Sequence, residues 1–324
     1  MPRIIEKEKR EIRKISIVCP YYNEEAIIEK AVSVFTAKLK ELPYEWELIL
    51  VNDGSKDKSF EIVRHIVADL ENVILITYPF NQGRGHALKT GIDAASGDII
   101  ITTEIDLSWG EDIVERIIDK FKEDPSLDIV VASPNLPGGG YKNVPSRRVW
   151  ISRIGNKIIG LFFTRKTTMN TGMTRGYRRE IIQRLKTDEK GKEFHLEVLL
   201  KLVTLGRRIG EVPAILEWKD NKLVKDKNVK RKSSSKVGKL ILSHLNFAFF
   251  ANPIRYFWSF SLLCVLGSLC FIGDAVYRLV RGEVAVFMAL VGLFLGIFAL
   301  LFFGFGIVTT QNNKIMKEFW RIDK

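Results

Sequence analysis

From Val284 to Val308 the chain carries no charged residue. As a helix rising ~1.5 Å per residue, this run would reach roughly 37 Å, more than the ~30 Å hydrocarbon core of a bilayer. A helix that long and that apolar is read as a membrane span rather than as the core helix of a soluble domain. A second apolar run, from Tyr256 to about Val276, has Asp274 near its end, and Arg278, Arg281 and Glu283 follow as a short polar turn. Together the two runs predict a helical hairpin with both ends on one side of the membrane. Lys230, Arg231, Lys232, Lys236 and Lys239 precede it, and Lys314, Lys317, Arg321 and Lys324 follow it. The positive-inside rule places both flanks, and so both termini, in the cytosol. The expected organisation is a cytosolic domain over 1–236, a juxtamembrane helix over 237–253, two transmembrane helices over 254–310 and a basic tail over 311–324. Lys239 to Phe250, rich in Leu and Phe, suits either the membrane interface or a face of the domain.

Ahead of the hairpin, the 324-residue chain leaves room for one large α/β domain. Short apolar runs at Ile15–Cys19, Trp46–Val51, Val73–Thr77, Ile99–Thr103 and Ile129–Ala132 read as buried strands. Amphipathic stretches between them read as helices: Asn23, as a cap, to Lys40, Asp57 to Leu70, Arg84 to Ala95 and Glu111 to Lys122. Strands alternating with helices imply a mostly parallel sheet covered on both faces, with ligands beyond the carboxyl ends of the strands. Cys19, Cys264 and Cys270 have no spacing that suggests a disulfide framework or a zinc site. Met1 to Lys14 is charged and has no apolar core, so no signal peptide is expected there.

The residues after each strand carry the chemistry. They are Pro20-Tyr21-Tyr22-Asn23-Glu24-Glu25, Asn52-Asp53-Gly54-Ser55-Lys56-Asp57, Asn81-Gln82-Gly83-Arg84-Gly85-His86-Ala87 and Glu104-Ile105-Asp106. Carboxylates recur at three of these ends. Gly83 and Gly85 lack the Lys-Ser or Lys-Thr pair of a P-loop, and no GxGxxG follows the first strand. Glu104 and Asp106 flank a single residue, and two carboxylates that close repel unless a cation lies between them. Hard divalent ions take such oxygens together with substrate phosphates. The net charge is +12, and from Ile129 to Arg179 there are ten Lys or Arg and no Asp or Glu. A polyanionic partner follows: a nucleic acid, an anionic membrane face or a phosphorylated substrate. A nucleic acid would explain neither the hairpin nor the acidic crevice, so none is expected.

In order along the chain, Pro20-Tyr21-Tyr22-Asn23-Glu24, Asn52-Asp53-Gly54-Ser55, Asn81-Gln82-Gly83 with Ala87, Ala95-Ser96-Gly97-Asp98 and the acidic pair resemble the inverting family 2 glycosyltransferases of the GT-A fold. More closely they resemble the polyprenyl-phosphate glycosyltransferases, over about residues 14 to 236. The resemblance implies a GT-A catalytic domain and transfer of a hexose from a UDP- or GDP-sugar, glucose or mannose first, to a dolichyl or undecaprenyl phosphate. It implies that Pro20, Tyr22, Glu24 and Asp53 hold the nucleoside, and that Gly83, Asn170, Thr171 and Glu197 border the donor. Glu104 and Asp106 would hold Mg2+ or Mn2+ and the diphosphate. Arg148 and Ser152 would meet the acceptor phosphate, and Arg231, Lys232 and Lys236 would close over both phosphates. Asp106, Arg148 and Ser152 are then the catalytic set. A membrane location follows, and a homo-oligomer is compatible with it.

Three positions depart from the pattern. Glu104 stands where the family has its first metal-motif aspartate, Pro134 where many members have arginine, and Thr168 where many have aspartate. A processive polysaccharide synthase shares the fold but carries Gln-x-x-Arg-Trp and more spans, and Arg147-Arg148-Val149-Trp150 is not that motif. A membrane-bound nucleotide-sugar-binding protein without turnover is the other alternative, and Glu104 is its only support.

Overall fold

The computed structural model describes residues 11–162, 167–191, 193–218 and 253–322. Arg231, Lys232, Lys236 and the Lys239–Phe250 segment lie outside these described residues. Two compact units divide the chain, Met1–Leu240 and Ile241–Lys324.

In the first unit the alternation of apolar runs and amphipathic helices becomes a seven-stranded sheet. Its strands are β1 (Lys14–Tyr21), β2 (Glu45–Asn52), β3 (Val73–Thr77), β4 (Ile99–Thr102), β5 (Ile129–Ser133), β7 (Arg175–Arg178) and β8 (Ile209–Pro213), in the order β3-β2-β1-β4-β7-β5-β8. All neighbours are parallel except β7, which runs antiparallel to both β4 and β5. Strands β1, β2, β4 and β5 are almost wholly buried, which is why they read as continuous apolar runs rather than as alternating ones. Helices α1 (Ile28–Lys40), α2 (Ser59–Val67), α3 (Arg84–Ala94) and α4 (Ile113–Glu123) connect the first five strands. After β5 come β6 (Gly140–Lys142), α5 (Ser146–Phe162), α6 (Arg179–Ile182), α7 (Phe194–Thr204) and β9 (Ile215–Glu217), with β6 and β9 forming a separate parallel pair.

The chain moves outward from β1 to β3 and then returns to β1's other side as β4. The switch point thus falls between the ends of β1 and β4, where a ligand crevice is expected. The opposite ends of the strands absorb another part of the signature. Glu47 accepts hydrogen bonds from Ser16 Oγ (2.6 Å), the Ser96 amide (2.6 Å) and Ser96 Oγ (2.8 Å), and pairs with Lys14 Nζ at 3.0 Å. Asp98 accepts the amides of Arg13 (2.8 Å) and Lys14 (3.1 Å). Ala95-Ser96-Gly97-Asp98 is therefore a structural clasp at the amino ends of β1 and β4.

Asn23 does not cap α1. It sits at φ +54°, and the helix begins only at Ile28. Its side-chain carbonyl accepts the Lys56 amide at 2.8 Å, and its own amide donates to Ser55 Oγ at 3.0 Å. The loops after β1 and β2 are thus tied to each other. Asp57 lies one residue ahead of Lys58, the N-cap of α2, and its Oδ1 accepts the Ser59 amide at 3.0 Å.

The second unit holds α8 (Pro253–Val280) and α9 (Val286–Ile322). Tyr256–Val280 and Val286–Asn312 are each long and apolar enough to cross a membrane. The first span outruns the expectation because Asp274 is paired with Arg278 one turn on, at 2.9 Å, so Arg278 belongs to the helix and not to the turn. The helices run antiparallel in contact. Ser261 Oγ donates to the Ala299 carbonyl (2.8 Å), Ser268 Oγ donates to the Gly292 carbonyl (2.7 Å), and Trp258 stacks on Phe303. Small residues and hydroxyls of this kind let helices approach closely where no hydrophobic effect drives them together.

Candidate active site

A cleft of about 710 Å³ opens at the switch point. Pro20, Tyr22 and Glu24 line it from the end of β1, Asp53 from β2, Gly83 and Arg84 from the start of α3, and Glu104 and Asp106 from β4. Arg148 of α5, Thr171 and Met173 ahead of β7, Leu216 of β9 and Trp218 just after it complete the wall.

The Asn52-Asp53-Gly54-Ser55 turn is built by its own side chains. Asn52 Oδ1 accepts the Ser55 amide at 3.0 Å. Gly54 has φ +66°, and a Cβ there would lie 2.4 Å from the Phe80 carbonyl carbon, so no other residue fits. Asp53, almost fully buried, accepts from Tyr78 Oη (3.0 Å), Asn81 Nδ2 (2.9 Å) and the amides of Gln82 (2.8 Å) and Gly83 (3.2 Å). The next amides, of Gly85 (2.8 Å) and His86 (3.1 Å), donate to the Lys190 carbonyl. The glycine-rich turn therefore spends these amides on Asp53 and Lys190 and is not a phosphate cradle, despite its spacing.

Glu104 Oε2 accepts from Ser108 Oγ (3.0 Å) and Trp109 Nε1 (3.2 Å), and Arg84 lies 3.7 Å from its other oxygen. Asp106 Oδ1 accepts the Ser108 amide at 3.0 Å. The extra methylene of Glu104 lets it reach these donors while remaining in the cleft wall. No cluster of three or more His, Cys, Asp or Glu occurs among the described residues. The pair of hard oxygen donors fits a small divalent ion that draws the rest of its shell from a diphosphate and water.

Three residues of the expected set do not line the cleft. Glu197 is buried and accepts the amides of Asp188 (3.0 Å) and Glu189 (3.0 Å) and the ammonium of Lys201 (2.6 Å). It holds the 188–191 loop, whose Lys190 carbonyl in turn holds α3. Asn170 is fully buried: its amide donates to Asn156 Oδ1 (2.6 Å), and its Oδ1 accepts from Thr167 Oγ1 (2.6 Å). The carbonyl of Ser152 accepts Asn156 Nδ2 at 2.9 Å, one turn beyond Arg148 on α5.

The basic stretch also divides. Arg148 faces the cleft, whereas Arg175 and Arg178 are buried. Arg175 donates to the carbonyls of His195 (2.6 Å) and Asn170 (2.7 Å), clamping the Asn170-Thr171 turn to α7. His195 is held neutral, its pKa driven well below the ordinary value by burial and then by Arg175 and Arg84. Where the resemblance expects an aspartate, Thr168 receives a carboxylate from elsewhere. Glu211 of β8 accepts its amide (2.8 Å) and that of Met169 (3.2 Å), and burial raises the Glu211 pKa.

Arg84, Trp109, Ser108 and Trp218 were not singled out by the sequence. Arg84 lies inside a turn read for its glycines, and Trp218 follows a three-residue strand too short to show a period.

A sheet switch point with an acidic pair on one wall and an arginine on another suits a phosphorylated ligand with a divalent ion, in an α/β domain. The family model for glycosyl transferase family 2 matches residues 16–186, and the chain belongs to that family. The bactoprenol glucosyl transferase of Shigella phage SfV is 30% identical over 177 residues, covering 53% of this chain and 54% of the relative. The undecaprenyl-phosphate 4-deoxy-4-formamido-L-arabinose transferase of Photorhabdus laumondii is 32% identical over 178 residues, covering 53% and 51%. The chain thus spans about half the length of the curated relatives it matches. Glucosyl-3-phosphoglycerate synthase from Mycobacterium tuberculosis, in complex with uridine diphosphate, aligns over 74% of this chain and 80% of its own, with a TM-score of 0.53 and 17% identity. Its complex with Mn2+, UDP-glucose and phosphoglyceric acid aligns over 63% and 70% at a TM-score of 0.50 and 19% identity. These likenesses bear on the fold, which is the GT-A type expected.

Proposed function

We propose that this protein transfers a hexose from a UDP- or GDP-sugar to a polyprenyl phosphate, with inversion at the anomeric carbon. The observation that carries the reading is one cleft with Glu104 and Asp106 on one wall and Arg148 on another, in a chain that also holds two membrane-length helices. Relatives named for undecaprenyl-phosphate and bactoprenol transfer support it. Pro20, Tyr22, Glu24 and Asp53 take the nucleoside, and Thr171 lies beside the sugar. Glu104 and Asp106 hold Mg2+ or Mn2+, which when bound offsets the charge of the departing diphosphate. Arg148 takes the acceptor phosphate.

A phosphate monoester has a second pKa of about 6, so it arrives ionised and needs no general base. No His among the described residues lines the cleft, which is then no obstacle, and positioning carries the reaction. Helix α5 supports a membrane-borne acceptor: Trp150, Ile151 and Ile154 are exposed on it beside exposed Arg147, Arg153 and Lys157, a composition suited to an anionic lipid face. In this reading the first unit and both termini lie on the cytosolic side.

The test is a transfer assay with the full chain, manganese or magnesium, a short polyprenyl phosphate and a panel of UDP- and GDP-sugars. A lipid-phosphate sugar of inverted configuration with one donor is expected. Nucleotide-sugar binding without transfer to any polyprenyl phosphate would refute the reading.

A further inference from the structure

The acceptor arginine and the acidic pair come from separate parts of the chain, yet one short path joins them. Ser108 is its hub. Its amide donates to Asp106, its hydroxyl donates to Glu104, and its carbonyl accepts the Glu217 amide at 2.7 Å. Glu217 ends β9 and pairs with Lys142 of β6 at 2.8 Å. The next residue, Trp218, donates its amide to the Lys142 carbonyl at 3.0 Å. The guanidinium of Arg148 then lies over the Trp218 ring, 4.8 Å from its centroid. Both side chains line the cleft.

Arg148 itself is exposed on α5. An aromatic face gives such a long side chain a fixed direction by stacking on the guanidinium plane, a contact made by the plane and not by its N–H groups. Trp218 can do this because its backbone is fixed: the strand pair holds it on one side and Ser108 holds its neighbour on the other. The carboxylate loop and the arginine are therefore referenced to the same short strand.

We propose that Trp218 is a positioning residue, which presents Arg148 to the acceptor phosphate at a separation from the acidic pair set by the Ser108–Glu217 bridge. This deepens the lipid-phosphate reading and rests on it. Trp218 acts through Arg148 and not by stacking on the donor.

The experiment uses the full chain in lipid nanodiscs, with Trp218→Phe, Trp218→Leu, Arg148→Ala and the Trp218→Leu/Arg148→Ala double variant. For Trp218→Leu the acceptor KM is expected to rise about threefold to fivefold, with the donor KM unchanged, and Trp218→Phe stays within about 1.5-fold of wild type. In the double variant the losses do not add, because both remove the same contact. A donor KM rising in step, additive losses, or Phe failing as badly as Leu would each overturn the proposal.

A second arm does not depend on turnover. Arg148 is modified with phenylglyoxal in the presence of increasing inorganic phosphate, and its adduct is followed by mass spectrometry. Protection is expected at a concentration about threefold to fivefold higher in Trp218→Leu than in wild type, and equal protection overturns the proposal. A wild-type chain that shows this difference but transfers to no polyprenyl phosphate sinks the proposed function and leaves the role of Trp218 standing.

Discussion

Replacing Asp53 with asparagine is expected to loosen the start of α3 before it alters anything else. Asp53 gathers donors on both oxygens: Tyr78 Oη and the Gln82 amide on Oδ1, Asn81 Nδ2 on Oδ2, and the Gly83 amide between them. An asparagine can keep its carbonyl toward Tyr78 and Gln82, but its amide group then faces Asn81, a donor against a donor. One bond to a charged acceptor, worth about 1.5–3 kcal/mol, is lost, and two others fall to the neutral value near 1 kcal/mol. The net local loss is about 3 kcal/mol, or roughly 100-fold in an opening equilibrium. Hydrogen exchange read by mass spectrometry over the 78–90 segment measures it directly. Protection of the Gln82 and Gly83 amides should fall by about two orders of magnitude, together with weaker nucleotide binding. Unchanged exchange with nucleotide binding abolished would refute the reasoning, since Asp53 would then act on the nucleoside alone and not also as the post to which the loop is tied.

Glu47 sets an acid limit. Burial pushes its pKa up, but the bonds from Ser16 and Ser96 and the ammonium of Lys14 outweigh this and hold it below the ordinary value. Its contribution is present above the unfolded pKa of about 4.3 and is lost as pH falls through the lower folded value. Thermal unfolding of Glu47→Gln should therefore show a flatter acid limb than wild type. In Gly85→Ala the new Cβ would sit 2.7 Å from the carbonyl oxygens of Glu189 and Gly191. A loss of about 1–3 kcal/mol is expected in denaturant titration, with the 188–191 loop exposed to protease. Because His195 is buried and neutral, its ring should show no NMR titration between about pH 5.5 and 8. Glu104→Gln should weaken manganese-dependent nucleotide binding about tenfold or more in calorimetry while leaving metal-free binding near wild type, and chelation of the metal should abolish transfer.

Strands β1, β2, β4 and β5 were legible because each is buried on both faces, and the edge strand β3 because its short apolar run stands between two amphipathic helices. The cleft was legible for a related reason: parallel strands deliver their carboxyl ends to one side, so Glu24, Asp53, Glu104 and Asp106 had to meet. What could not be read was the direction of individual side chains. Glu197 and Asn170 lie within the matched motifs yet turn into the protein, where a backbone amide or a neighbouring asparagine claims them. Asn23 looked like a helix cap because its residue type suits one, but the tertiary link to Lys56 and Ser55 took it instead. Arg175 and Arg178 counted toward a basic face, and only the antiparallel strand β7 shows that both point inward. Around α5 and α7, the described residues between 134 and 217 hold strands of three to five residues and irregular turns whose patterns are too brief for periodicity to act on.

Strand β7 has a consequence for how the chain is made. Until Arg175–Arg178 has left the ribosome, β4 can only finish a four-stranded parallel half-sheet whose outer edge, Ile99 to Thr102, is apolar and unpaired. An open edge of that kind is a template for pairing with another chain. Strand β5 is synthesised earlier than β7 but cannot cover that edge, because it reaches the sheet only through β7. The half of the sheet that carries Asp53 and Glu104 is therefore complete in sequence well before it is sealed. The nascent protein passes through a stage in which self-association competes with folding.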